Sequence, residues 1–65
     1  MKRETWMQQG TKVSVGLFEG RIVRVVEFQG NIWIDVEIGG VIDRHLAENV
    51  TPVDEEAAYR MARYE

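Results

Sequence analysis

A chain of 65 residues makes one small domain, and a domain of that size buries only about 60% of the surface its extended chain exposes. It has no cysteine and a single histidine, His45, so disulfides, thiolate metal sites and a histidine zinc centre are excluded and no metal or other cofactor is expected. The formal net charge of -3 argues against broad, charge-driven binding to nucleic acid, and the apolar runs are far too short to span a bilayer.

With disulfides and metals removed, self-association is the most available extra stabiliser, and a homo-oligomer is expected on that ground. The cysteine-free composition suits a cytoplasmic home. Lys2 and Arg3 precede no apolar region, so the start of the chain does not read as a secretory signal.

Residues 1–10 read as an arm or a single helical turn closed by Gly10. Trp6 lies within it, either folded back as a lid on the domain or held out as an anchor for a partner. Residues 11–15 read as a first strand with Val13 and Val15 inward. Gly16-Leu17-Phe18-Glu19-Gly20 reads as a loop bracketed by two glycines that permit unusual backbone angles, with Phe18 plugging a barrel end or standing exposed for a partner.

Residues 21–28 form a second strand whose alternation is broken. A bulge near Val23-Arg24 would bring Ile22 and Val25 to the same face. Gln29-Gly30-Asn31 makes a tight turn into the clearest stretch of the chain, Asn31 to Ile38. There Ile32, Ile34, Val36 and Ile38 alternate with Trp33, Asp35 and Glu37, which predicts a central strand with one dry and one wet face.

Gly39-Gly40 is a second hairpin signal. Val41 to Leu46 follows as a fourth strand, with Ile42 and Leu46 predicted inward and Arg44 carried with them by parity. Ala47-Glu48-Asn49 reads as one helical turn, and residues 50–53 as a short last strand that Pro52 confines to an edge. From about Asp54 the acids of the first turn and the spacing of Ala57, Met61 and Tyr64 predict a short C-terminal helix that must dock on the barrel or on another chain. The expected fold is therefore mainly β: a five-stranded, SH3-like antiparallel barrel over residues 11–53, preceded by an arm and followed by a helix over 54–65.

Val13-x-Val15-Gly16-x-Phe18-x-Gly20-x-Ile22 resembles the KOW pattern found in NusG-type C-terminal domains, and Leu46-Ala47-Glu48-Asn49-Val50 resembles the turn into the last strand of that class. The resemblance implies an SH3-like barrel of the KOW or Tudor type. Such barrels are mostly docking modules for ribosomal proteins, polymerases, RNA or modified tails. A fainter similarity, carried by Thr11-Lys12-Val13, Phe18-Glu19-Gly20-Arg21-Ile22-Val23 and Val36-Glu37, is to the plasmid-borne type B dihydrofolate reductases, which assemble as tetramers around a shared pore. That family's Val-Gln-Ile-Tyr segment would fall near Val41-Ile42-Asp43-Arg44, which keeps neither its glutamine nor its tyrosine.

These readings predict a non-catalytic binding module: a small accessory protein, of a size and composition suited to a phage or mobile element, docking on a larger protein or nucleoprotein assembly. Its partner-binding residues would be Trp33, Trp6, Phe18, Arg44 and His45. Trp33, set among acids on the wet face, is either an interface anchor or is covered by Tyr59, Met61 or Tyr64 of its own chain. The alternative is nucleic-acid contact through Arg21, Arg24 and Arg44 with Phe28 or Trp33 as a stacking surface. Asp43 and His45, two residues apart on one strand, are the only pair that invites acid–base chemistry, and no catalytic residue is assigned.

Overall fold

The computed structural model describes residues 3–53. Five antiparallel strands form one sheet: β1 (Lys12–Val15), β2 (Phe18–Phe28), β3 (Asn31–Ile38), β4 (Val41–Leu46) and β5 (Thr51–Pro52), with a 3-10 turn at Ala47–Asn49 between the last two. The sheet order is β4-β3-β2-β1-β5, which leaves β4 and β5 as its edges. Pro52, which has no amide proton for a ladder, lies in an edge strand as its chemistry requires. The predicted C-terminal helix lies outside the described residues.

The alternation in β3 does what its pattern dictates. Ile32, Ile34 and Val36 are fully buried, and together with Val13 and Ile22 they are the largest fully buried side chains of the described residues. Each such aliphatic side chain contributes about 1.5–3 kcal/mol of burial free energy, so one strand supplies most of the stabilisation that these five side chains bring. Met7, Ala47 and Val50 complete the core cluster, with Trp6, Val15, Val25 and Ile38 packed against it. The N-terminal arm is therefore part of the core. Met7 is its buried anchor, and the Gly10 and Ile22 backbones are tied by a 2.9 Å hydrogen bond.

The β2–β3 register steps from Ile22 opposite Val36 to Arg24 opposite Asp35, leaving Val23 as the extra residue of a bulge. That bulge returns Val25 to the side of Ile22, opposite Ile34, as the broken alternation predicted. Both hairpin turns beyond it are two-residue turns with positive φ throughout: Gln29 and Gly30 at 52° and 78°, Gly39 and Gly40 at 59° and 86°.

Three expectations are corrected. The predicted loop over residues 16–20 is only a tight turn at Gly16-Leu17, and β2 already begins at Phe18, paired with Val15. Phe18 is accordingly no barrel plug. It projects at the hairpin tip, 66% exposed, beside a fully exposed Leu17. In β4, Ile42 does not face the core. The short Gly39-Gly40 turn pairs Ile38 directly with Val41, which places Ile42, Arg44 and Leu46 opposite Glu37, Asp35 and Trp33, and Ile42 is 55% exposed. Finally, the wet face of β3 is only partly wet. Asp35 is buried at 6% exposure and Trp33 is half-buried.

Candidate docking face

The same register that buries Ile34 assembles a second, outward face from β2, β3 and β4. Val26, Trp33 and Leu46 are cross-strand neighbours, as are Arg24, Asp35 and Arg44 in the next row. Val26, Phe28 and Trp33 line a groove of about 300 Å3, with Arg44 at its border. Phe28, at the end of β2, is 60% exposed. An apolar floor beside a fixed cation is a recognition geometry: the floor accepts an apolar side chain, and the cation selects for negative charge next to it.

Asp35 fixes that cation. Its Oδ1 accepts from Arg44 Nε at 2.8 Å and its Oδ2 from Arg44 Nη2 at 3.2 Å, while Arg24 Nε lies 3.6 Å from Oδ2. The hydrogen bonds from Arg44 hold the Asp35 carboxyl below its usual range. Burial opposes this, and the positive charges of Arg44 and then Arg24 reinforce it. The same contacts push the Arg44 guanidinium further above its already high value. The side-on pairing uses Nε and Nη2 of Arg44, so its Nη1 protons remain for a further acceptor.

The structure gathers some of the sequence-predicted site residues and scatters others. Trp33 lies in the groove wall and Arg44 on its border. Arg24 joins them through Asp35, whereas Arg21 donates from Nη1 to the Gly10 carbonyl at 3.0 Å, beyond the bulge. Phe18 is at the opposite end of β2 from Phe28, roughly 30 Å along an extended strand. Trp6 packs on the core cluster, its indole N–H donating to the Glu4 carboxylate. His45 and Asp43 pair with Ile34 and Val36, so both belong to the face of β4 opposite Arg44. No hydrogen bond or ion pair joins them among the described residues.

Val26 and Asp35 were not singled out from the sequence as site residues. Their signal was present only as shared parity with Arg24 and Trp33, and parity becomes a site only once two bulge- and turn-dependent registers are known. Among the described residues, no group of three or more acidic, histidine or cysteine side chains is placed to hold a metal, and no helix is long and apolar enough to cross a membrane. Comparison with protein-family models, with curated proteins and with solved structures finds no match for the chain.

Proposed function

We propose that this chain is a small protein-docking module of the SH3-like type, and that its working surface is the β2–β3–β4 face centred on Trp33. The observation that carries the reading is the groove itself: Val26, Phe28 and Trp33 form an apolar floor on a charged chain, and Arg44 is held at its edge by a buried carboxylate. A half-buried tryptophan beside an oriented arginine brings together two of the residue types most enriched among interface hot spots.

The test is affinity capture with tagged protein, followed by binding measurements on the purified partner. Phe28→Ser is the cleaner probe because Phe28 is mostly solvent-exposed and leaves the core intact. Trp33→Ala is the stronger one. Each should weaken partner binding by about tenfold or more, whereas Leu17→Ser at the distant hairpin tip should leave it unchanged. A partner held equally well by wild type, Phe28→Ser and Trp33→Ala would sink the proposal.

A second reading shares this face. Arg24 and Arg44 stand beside Phe28 and Trp33, and arginines beside aromatic rings suit single-stranded nucleic acid. Titration with labelled oligonucleotides at low salt separates the two, since nucleic-acid binding through these groups must weaken steeply as salt rises.

A further inference from the structure

We infer that β4 is the seam of a homodimer: its free edge pairs antiparallel with β4 of a second copy, Arg44 opposite Arg44, and the two sheets become one. The seam is independent of the docking face proposed above.

The two edges of the sheet are made differently. β5 is two residues long and carries Pro52, so it offers little to a further strand. β4 runs six residues, Val41–Leu46. Proline, lysine and bulges are devices by which sheet proteins blunt an edge, and β4 has none of them. Val41 and Ile42 stand on it 59% and 55% exposed. Its arginine, Arg44, is turned back onto Asp35 of β3 rather than out over the edge.

The Gly39-Gly40 turn sets which backbone groups are free. A two-residue hairpin closes on a hydrogen-bonded pair, here Ile38 and Val41, and the pairing alternates from there. Val41, Asp43 and His45 therefore use their N–H and C=O groups on β3. Ile42, Arg44 and Leu46 point theirs away from it, where no other strand lies among the described residues. A further strand bonds to these three. A two-fold axis perpendicular to the sheet presents the same three groups from a second copy.

Side chains select the register. With Arg44 opposite Arg44, Ile42 lies opposite Leu46 of the second copy and Asp43 opposite its His45, each twice over by symmetry. Apolar meets apolar and acid meets base. Moving the strands so that Asp43 faces Asp43 sets two carboxylates against each other and Ile42 against an arginine. Moving them the other way pairs only residues 44–46 and sets His45 against His45. The two Arg44 side chains at the centre oppose the favoured register. Asp35 offsets that, because each guanidinium is already bound to a carboxylate of its own sheet. On that face Ile42 of the second copy extends the row Val26, Trp33 and Leu46. On the other face Asp43 and His45, which share no ion pair within the described chain, meet their counterparts across the seam.

Sedimentation equilibrium on the full chain, from about 1 μM to 1 mM, tests the seam. The mass should rise with concentration to twice the 7.5 kDa of one chain. Ile42→Lys, at an exposed position away from the core, should raise the dimer Kd about tenfold or more. Asp43→Lys should do the same, and adding His45→Glu, which reverses the pair, should recover most of the loss. In the unmodified protein the Arg44 amide should exchange quickly when dilute and slowly when concentrated. A monomer throughout the range overturns the inference. So does a dimer indifferent to Ile42→Lys, whose seam lies elsewhere. An Asp43→Lys loss that His45→Glu does not restore, with an Arg44 amide unprotected in the dimer, overturns it as well. Phe28→Ser should leave the dimer intact, so seam and groove stand or fail separately.

Discussion

Gly20→Ala should leave a large fraction of the protein unfolded at 25 °C. Gly20 sits in β2 opposite Val13, just before the bulge, and the end of β3 lies close against it on the other side. A methyl group there would lie 2.1 Å from the Glu37 carbonyl oxygen and 2.7 Å from Ile38 Cγ1. The Ile38 side chain can turn aside, but the carbonyl cannot. Glu37 is paired with Arg21 on one side and Ile42 on the other, so β3 must be lifted from β2 to admit the methyl. Overpacking into side chains costs about 1–3 kcal/mol, and a clash with paired backbone belongs at or above the top of that range. A disulfide-free domain of this size has only about 3–5 kcal/mol to lose. Gly16 gives the contrast. An alanine Cβ there meets nothing within 4 Å, and the cost is confined to its φ of +62°, about 1–2 kcal/mol. Urea titration followed by circular dichroism should rank Gly20→Ala well below Gly16→Ala. A Gly20→Ala midpoint at or above that of Gly16→Ala would show that the two strands separate easily, and the close approach of β3 to Gly20 would be wrong.

Gly20 also marks where local sequence pattern stops being informative. Its place next to a hairpin suggests a glycine chosen for its backbone freedom, and for Gly16 that is the reason. At Gly20 the cause is another strand at close range, a long-distance fact that no local pattern carries. The same division runs through the rest of the fold. The β3 alternation, the Gly39-Gly40 turn and the need for a bulge near Val23 were legible because each is written in adjacent residues. The facing of β4 was not. Its apolar residues fit either parity, and a two-residue turn decided the matter by pairing Ile38 with Val41. The site was half legible for the same reason. Trp33 and Arg44 stood out singly, but their meeting in one groove, with Val26 and Phe28 completing the floor, depends on that register.

Arg44→Met should change not only stability but the sign of its response to acid. In the wild-type protein Asp35 is held below its ordinary value of 3.8, first by the hydrogen bonds from Arg44, against the opposing effect of burial. A carboxyl whose folded value is depressed stabilises the fold fully above the unfolded value. That stabilisation is lost as pH falls from about 3.8 down through the folded value. Methionine keeps an unbranched apolar stem but removes both hydrogen bonds and one of two positive charges. Burial then becomes the leading influence, opposed only by Arg24 at 3.6 Å, and the Asp35 value rises above 3.8. A raised carboxyl reverses the linkage. Its contribution is destabilising at neutral pH and fades as pH falls through the raised value, so the variant is weakest relative to wild type near neutrality and the gap narrows in acid. Taking the difference between the two proteins cancels the carboxylates they share. Urea midpoints between pH 2.5 and 7, with the Asp35 carboxyl carbon followed by NMR, would measure both the gap and its cause. A gap that stays constant across that range, with an unmoved Asp35 titration, would mean that Arg44 does not govern the buried carboxylate. The cation at the edge of the groove would then lose its anchor.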